Sequence, residues 1–323
     1  MEMNVKSGSF VPTILQRGLS SDSFLVVNGI RDAQLTVNIG ELYRLRVVHA
    51  GVDGWLNLKM EQDSQDQCEL WIIARDGRYL KHPRLLKTYC LVPPGSRVDF
   101  IGRCSSVVAG NSFPRLVSRN QRLSVNGILG PNSMVWNNTL FKFKIISPSS
   151  NIVANAADLS TLTFRDHPKN LLFAKERIQR FRFVWTQGKG KDKSGYTFYG
   201  INGHLYPISQ RPVVNVELDK IQEWVIDSGG YHVPESHPFH LHTNAFQITQ
   251  MNVPGCSSVI KKKECSELDY QIGDWRDTIT VPYQGSVTIR WRPRDFTGMS
   301  LAHCHILAHE DEGMMLAFRI VSS

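Results

Sequence analysis

The chain has 323 residues, of which 41% are hydrophobic and 10% aromatic, and its formal net charge is +8. This length suits two domains of ordinary size, and the composition is that of a globular protein rather than a disordered one. No apolar run approaches the roughly 18 residues of a membrane span, and the basic residues are scattered without a nucleic-acid-reading motif, so we expect neither a transmembrane segment nor a nucleic-acid partner.

The first elements along the chain belong to an internal repeat. Residues 24–51, FLVVNGIRDAQLTVNIGELYRLRVVHAG, parallel residues 198–230, FYGINGHLYPISQRPVVNVELDKIQEWVIDSGG. Residues 91–103, LVPPGSRVDFIGR, parallel residues 280–292, TVPYQGSVTIRWR. Short alternating segments rich in Val, Ile, Tyr and Trp, punctuated by Gly and Pro, predict an all-β protein made of two β-sandwiches.

A Ser- and Asn-rich segment at residues 146–164 separates the two repeats. Such composition is typical of a linker, so we predict one domain over residues 1–150 and a second over residues 151–323. The segment 166–180, which contains all but the last residue of NLLFAKERIQRF (170–181), is expected to add a short helical turn.

The second repeat contains the first group of candidate metal ligands, in SHPFHLHTNAF at residues 236–246. His240 and His242 are separated by one residue, so on a strand their side chains share a face. His237 precedes Pro238, which biases it toward extended geometry.

A second group lies in LAHCHILAHEDEGMML at residues 301–316. On a strand Cys304 faces one way, while His303 and His305 face the other. Beyond it, His309 and Met314 follow with the spacing C-x4-H-x4-M, and a turn would let all three converge. Cys, two His and a weak axial Met form a blue copper site; zinc competes for His and Cys, but the Met favours copper.

The motifs HPFHLH and HCHILAHEDEGMM resemble the C-terminal copper motifs of multicopper oxidases, the family of laccase, bilirubin oxidase and copper-efflux oxidase. The resemblance implies that both domains are cupredoxin-like Greek-key β-sandwiches. It implies a type 1 copper bound by His237, Cys304, His309 and Met314. It also implies that half of a trinuclear type 2/type 3 copper cluster is formed by His240, His242, His303 and His305. Glu310 would assist proton delivery to that cluster.

The first repeat lacks these motifs, because its matching slot reads GVDGWLNLKMEQDSQ and contains no H-x-H. We therefore expect His49, His82 and His167 to be structural or surface residues. This pattern resembles the copper-free middle domain of the family, so the resemblance covers the second and third domains of a three-domain oxidase.

The family's first domain supplies two further H-x-H motifs that this sequence does not contain. We therefore expect the chain to be a C-terminal fragment or a truncated gene product, with an N-terminal cupredoxin domain and any signal peptide upstream. A partner chain that supplies the missing His is an alternative. A two-domain laccase is disfavoured, because its first domain would carry H-x-H motifs.

The six Cys also bear on the compartment of the parent protein. Cys304 is a candidate copper ligand, and Cys256 and Cys265 flank the loop SSVIKKKE and are expected to form a disulfide. Cys68, Cys90 and Cys104 leave one odd thiol however they pair. This usage suits a secreted parent, although residues 1–18 have no signal-peptide pattern and the localisation of this chain stays open.

The expected function is that of a copper oxidoreductase. The resemblance implies one-electron oxidation of a small reducing substrate, such as a phenol, a pigment or a metal ion, coupled to reduction of O2 to water. The alternative is a nonenzymatic type 1 copper protein that binds copper or transfers electrons.

Overall fold

The computed structural model describes residues 2–6, 9–11, 23–62, 68–87, 89–105, 113–120, 128–146, 158–164, 168–189, 197–206, 214–229, 235–254 and 271–322. Strands are numbered in chain order, and a three-stranded sheet near the N-terminus consists of β1 (Glu2–Lys6), β2 (Ser9–Val11) and β3 (Ser23–Leu25). None of the helices in the described part of the chain has the length and apolar character to span a bilayer.

Two sheets from residues 33–146 form the first sandwich. One sheet contains, in spatial order, β5 (Tyr43–Val48), β10 (Arg97–Cys104), β7 (Cys68–Arg75) and β8 (Arg78–Leu85). The other contains β4 (Ala33–Asn38), β12 (Asn138–Ile146), β11 (Arg115–Ser118), β6 (Leu56–Glu61) and β9 (Cys90–Val92). Both sheets contribute to one buried apolar core, as the clustering of Ile72 and Phe100 with Leu58 and Phe143 illustrates.

Two further sheets from residues 179–321 form the second sandwich. One contains β14 (Thr197–Ile201), β13 (Gln179–Lys189), β16 (Gln222–Asp227), β21 (Ser286–Trp291), β18 (Phe246–Asn252) and β19 (Trp275–Arg276). The other contains β15 (Val214–Glu217), β23 (Met315–Val321), β22 (Gly298–Cys304), β17 (His237–Leu241) and β20 (Thr278–Val281). A short helix, α1 (Leu307–Asp311), connects β22 to β23.

One five-stranded sheet of each sandwich has the same strand topology, in agreement with the internal repeat predicted from the sequence. In the first, the order β4-β12-β11-β6-β9 begins with a parallel pair, and in the second β15-β23-β22-β17-β20 does the same. The fold is all-β, as predicted. Each repeat also contains an Asn-Gly turn with positive φ at both residues, at Asn28-Gly29 and at Asn202-Gly203, which suits tight hairpins.

The sandwiches contact each other through buried groups. Trp55 of the first sandwich is 1% exposed and belongs to the same apolar cluster as the core of the second. Its Nε1–H donates to Oγ1 of Thr280 across 2.9 Å. Arg84 of β8 also forms an ion pair with Asp274, with Nη1 2.7 Å from Oδ2.

The helical turn predicted within 166–180 is wrong for the described residues 168–180. This segment is turn and coil until β13 begins, and a 3-10 helix lies earlier, at Leu159–Thr161. Tertiary contacts override local propensity here, because the backbone N–H of Leu171 donates to Oε1 of Gln247 and the Leu171 side chain packs with Ile221 and Trp275.

The first sandwich contains one disulfide, between Cys68 and Cys104 on the paired strands β7 and β10. Cys90 is the remaining thiol of the three and is buried. The predicted pair Cys256–Cys265 and most of the predicted linker lie outside the described residues.

Candidate metal centre

Three potential ligand atoms converge inside the second sandwich. Sγ of Cys304 lies 3.5 Å from Nδ1 of His237 and 3.8 Å from Nδ1 of His309, and the two Nδ1 atoms are 3.1 Å apart. All three residues are buried. We call this set the thiol site.

Strand pairing and one helical turn bring these residues together. β17 and β22 are antiparallel neighbours that pair Phe239 with Cys304, so His237 lies close to the thiol. α1 returns the chain after β22, and the backbone N–H of Met314 donates to the carbonyl of His309 across 2.9 Å. Met314 is fully buried, and its carbonyl accepts from the backbone N–H of Cys304 across 3.0 Å.

The environment of the thiol site keeps its imidazoles neutral. Burial lowers the pKa of His309 to about 3. Burial, and secondarily the neighbouring His309, lower the pKa of His237 well below its ordinary value. Burial also raises the pKa of the Cys304 thiol, while the backbone N–H of Ile306 donates to Sγ across 3.4 Å.

The donor set fits a bound metal ion. Nε2 of His237 is buried and has no hydrogen-bond partner among the described residues. The polar contacts of this ring are those of Nδ1 with Cys304 and His309. Neutral imidazole and thiolate are the ligand types that copper and zinc prefer. Metal binding would also displace the thiol proton that burial otherwise retains.

A second group of imidazoles, the imidazole cluster, consists of His240, His242 and His303, whose ligand atoms lie within 4.8 Å of one another. Nε2 of His242 is 2.9 Å from Nε2 of His303. His305 lies beside the cluster, with its ring centroid 5.5 Å from those of His240 and His303, but it is not one of the three converging residues.

Backbone acceptors orient two rings of the imidazole cluster. Nδ1 of His303 is 2.8 Å from the carbonyl of Cys304, which can only accept, so Nδ1 carries the hydrogen and Nε2 presents a lone pair toward His242. His240 has the same arrangement, with Nδ1 3.0 Å from the carbonyl of Asp277. Burial, and then the neighbouring imidazoles, lower the pKa of His242 to about 4.

Glu310 lies at the edge of the imidazole cluster. Its Oε2 is 3.3 Å from Nδ1 of His303, and its side chain is 25% exposed. The hydrogen bond with His303 lowers the pKa of this carboxyl below its ordinary value. The side chain thus lies between the cluster and solvent.

The first sandwich offers different residues at the equivalent positions. Leu56 pairs with Val92 of β9 as His237 pairs with Val281 of β20, so Leu56 occupies the position of His237. Two residues later in each strand, Leu58 pairs with Ser118 as Phe239 pairs with Cys304, so Ser118 occupies the position of Cys304. His49 is buried, and its Nε2–H donates to the carbonyl of Gly54 across 2.8 Å, while His82 is exposed. Both lie in structural or surface positions, as predicted, and His167 is outside the described residues.

Sequence patterns missed three residues around the thiol site. Tyr199 of β14 stacks on the ring of His309. Glu235 has Oε2 3.5 Å from Nε2 of His309, and burial, followed by the charge of Asp53, raises its pKa to about 7. Glu235 stands two residues before His237, which is a weak signal; Tyr199 and Asp53 are too distant in sequence for any spacing rule to find them.

A close approach of the backbone brings the first sandwich against the segment after Cys304. A Cβ at Gly95, which has φ +79°, would meet Cδ2 of His305 at 2.2 Å, so this turn requires glycine. The backbone N–H of Leu307 donates to the carbonyl of Val52 across 3.0 Å. The first sandwich therefore forms one wall beside both sites.

Comparison with known proteins agrees with this geometry. The family model described as multicopper oxidase matches residues 179–323, which contain both sites. Residues 179–323 belong to the multicopper oxidase family. Copper is the cofactor of that family.

Curated proteins that are similar to this chain include laccases. Laccase-2 of Botryotinia fuckeliana is 24% identical over 316 residues, which cover 90% of this chain and 51% of that protein. Laccase-5 of Arabidopsis thaliana is 30% identical over 129 residues, which cover 40% of this chain and 22% of that protein. The chain thus spans about half of the fungal laccase and a smaller share of the plant one.

Solved multicopper oxidases share the fold. A variant of McoA from Aquifex aeolicus superposes with a TM-score of 0.69 at 21% identity, covering 98% of this chain and 64% of that one. The multicopper oxidase of Campylobacter jejuni, described as a metallo-oxidase, has a TM-score of 0.65 at 19% identity, covering 96% of this chain and 59% of that one. At these identities the likeness shows the cupredoxin-like β-sandwich fold alone.

Proposed function

We propose that this chain is the copper-binding part of a laccase-like oxidase that takes single electrons from a small reducing substrate and transfers them to O2. One observation carries the proposal. Cys304 in the thiol site is bonded directly to His303, a member of the imidazole cluster, and Nδ1–H of His303 donates to the carbonyl of Cys304 across 2.8 Å. A covalent and a hydrogen-bonded route therefore connect the two sites.

The donor types suggest which residues would hold copper. His237, Cys304, His309 and the buried Met314 suit a type 1 copper, and His240, His242, His303 and His305 suit half of a trinuclear cluster. Copper bound there would supply the one-electron exchanges and the reduction of O2 to water.

The chain's own residues provide the entry point for electrons. Nε2 of His309 lies 3.5 Å from Oε2 of Glu235, whose side chain is 21% exposed, so this edge of the thiol site reaches solvent through the carboxyl. A carboxyl with a pKa of about 7 can accept the proton that a phenol loses on oxidation. This supports a phenol as the substrate, although a pigment or a metal ion would meet the same edge.

Glu310 is the candidate for proton delivery at the imidazole cluster. Its carboxylate contacts Nδ1 of His303 and is partly exposed, so it can relay protons from solvent to the cluster. O2 reduction to water consumes protons, and a carboxylate in this position meets that requirement.

The imidazole cluster needs further ligands for this chemistry. The sequence has one H-x-H at His240–His242 and another at His303–His305, and no more. We infer that additional imidazoles come from an N-terminal cupredoxin domain or from a partner chain. The first sandwich, with Leu56 and Ser118 at the equivalent positions, would correspond to the copper-free middle domain over residues 1–150, and residues 151–323 to the copper-binding domain.

A one-copper carrier is the less favoured function. Such a protein needs the thiol site but has no use for three imidazoles whose ligand atoms lie within 4.8 Å of one another beside it. The imidazole cluster therefore favours the oxidase.

The test is oxygen-electrode turnover with a phenol, together with copper counting on the same sample. We expect the chain alone to show no steady O2 uptake, and the chain joined to a cupredoxin domain with two H-x-H motifs to show uptake that His303→Ala removes. A joined protein with its full complement of copper that consumes no O2 would contradict the oxidase assignment. Steady uptake by the chain alone would contradict the need for outside imidazoles.

A further inference from the structure

Asp277 links His240 of the imidazole cluster to the interface between the sandwiches. Nδ1–H of His240 donates to the backbone carbonyl of Asp277 across 3.0 Å and lies 2.9 Å from Oγ1 of Thr278. The hydroxyl of Thr278 donates to Oδ1 of Asp277 across 2.8 Å, so its oxygen is free to accept from the imidazole. These contacts fix the hydrogen on Nδ1 and leave Nε2 as the ligand atom.

Arg97 of the first sandwich holds the carboxylate of Asp277. Nη1 is 2.8 Å from Oδ1 and Nη2 is 2.5 Å from Oδ2, which is the two-point geometry that guanidinium offers and ammonium does not. Nη1 also donates to the carbonyl of Gly95 across 3.0 Å, in the turn that lies against His305. The position of Asp277 therefore depends on a residue of the other sandwich.

Asp76 fixes both partners of this ion pair. Its Oδ1 accepts from the backbone N–H of Arg97 across 2.9 Å, and its Oδ2 lies 3.3 Å and 3.2 Å from the backbone nitrogens of Asp277 and Thr278. Asp76 is buried and occupies the tight turn between β7 and β8, with φ 48° followed by φ 76° at Gly77. This turn geometry directs one carboxylate at both segments.

We propose that Arg97 is a positioning residue, through which the first sandwich sets the ring orientation and tautomer of His240. The chain of contacts runs from Asp76 through Arg97 and Asp277 to Nδ1 of His240. Loss of the guanidinium fork frees Asp277 to rotate away from Thr278, whose hydroxyl then donates to Nδ1 of His240 instead of to Oδ1 of Asp277 and favours the Nε2–H tautomer. The first sandwich thereby acts on the imidazole cluster without contributing a candidate ligand from its described residues.

The interface supplies a matched control. Arg84 and Asp274 form a second two-point ion pair between the same two sandwiches. Oδ2 of Asp274 also accepts from the backbone N–H of Gln271 and from Nη2 of Arg276. Among the described residues, Asp274 makes no contact with the imidazole cluster. Arg84→Lys therefore weakens the interface in the same way as Arg97→Lys but leaves the support of His240 intact.

The first readout is the nitrogen NMR of histidine in the metal-free full chain, with the His240 signals assigned by their loss in His240→Gln. We expect a single Nδ1–H tautomer in the parent chain and in Arg84→Lys, and a mixture of tautomers in Arg97→Lys. Asp277→Asn, which keeps the backbone carbonyl and the shape of the side chain, should also give a mixture, and it carries the test if Arg97→Lys does not fold.

The second readout is the affinity of the chain for Zn(II) in a Cys304→Ser background, which removes the thiol. Loss of a residue that orients a metal-bound imidazole weakens metal binding by about tenfold or more, so Arg97→Lys and Asp277→Asn should do so and Arg84→Lys should not. Unchanged His240 tautomer and unchanged Zn(II) affinity in both variants would overturn the proposal. The inference takes from the proposed function only that His240 is a ligand, and the metal-free tautomer is read independently of any oxidase activity.

Discussion

The ring of Tyr199 stacks on the imidazole of His309, with 3.8 Å between the ring centroids and 18° between the planes. Tyr199 lies on β14, far along the chain from α1, so the contact depends on the packing of the second sandwich. The phenol ring covers one face of a candidate copper ligand. It therefore screens that face of the imidazole from solvent.

Removal of this ring should lower the midpoint potential of copper bound at the thiol site. Water that enters beside His309 stabilises the more highly charged oxidised state, because the apolar shell around a metal controls its potential. Tyr199→Ala should show the decrease in a spectroelectrochemical titration of the copper-loaded chain, whereas Tyr199→Phe, which keeps the ring, should stay close to the parent. Equal potentials in all three proteins would mean that Tyr199 does not shield the site.

Copper at the thiol site should give the chain an intense absorption in the visible. The transition arises from the thiolate of Cys304 to Cu(II), so Cys304→Ser should abolish it even where copper still binds to the imidazoles. His242→Gln, which leaves the thiol site intact, is the control and should keep the band. A copper-loaded, oxidised parent chain without colour would rule out the type 1 assignment.

The candidate ligands were predictable because their spacing is local. His240 and His242, or His303 and Cys304, stand one or two positions apart, and strand periodicity alone sets the faces to which they point. The all-β class and the repeat followed from alternating segments and Asn-Gly turns. Which strands pair was not local information, so the convergence of His237 with Cys304 required the family resemblance.

Residues that support the sites could not be predicted in this way. Arg97 and Asp277 come from different sandwiches. Their contact could be predicted only from the packing of the two sandwiches, which local sequence does not contain. In the segment around Leu171, the sequence predicts a helical turn that the structure does not contain, because burial of Leu171 against Ile221 and Trp275 overrides the local helix propensity. Long-range packing decides both cases.

The metal-free chain should lose stability as the pH falls below about 6.5. Burial lowers the pKa of His309 to about 3 in the folded state, so below its ordinary pKa the unfolded chain binds a proton that the folded chain does not. The contribution of His309 to the free energy of unfolding is fully present above its ordinary pKa of about 6.5 and has decreased by about 2 kcal/mol at pH 5. Denaturant unfolding at a series of pH values should show the decline.

His309→Gln should reduce this pH dependence by the share of one proton, because the side chain no longer gains a proton on unfolding, while the other buried imidazoles such as His237 still do. His82→Gln, at an exposed position, is the control and should follow the parent curve. A parent chain whose free energy of unfolding is the same at pH 7 and pH 5 would contradict the burial of neutral imidazoles.

Disulfide mapping should separate the Cys into two classes when the protein is made in an oxidising compartment. Non-reducing peptide maps should link Cys68 to Cys104, with Cys90 recovered as a thiol after unfolding, because its buried Sγ lies 2.7 Å from Nη1 of Arg75, outside the Cys68–Cys104 bond. Cys256 and Cys265 are predicted from their spacing to form a second link. Recovery of both as alkylated thiols from such material would exclude that pair.

Trp55 should control whether the two sandwiches unfold together. It lies in the first sandwich but is packed in the apolar cluster of the second, and its Nε1–H donates to Thr280. Trp55→Ala should cost about 3–5 kcal/mol, the range for loss of a buried large aromatic side chain, and should resolve one calorimetric transition into two. Trp136→Ala is the matched control, because Trp136 is buried within the core of the first sandwich alone, so it should lower stability and keep a single transition. Two transitions already present in the parent chain would mean that Trp55 does not couple the sandwiches, since they would then unfold separately with the indole in place.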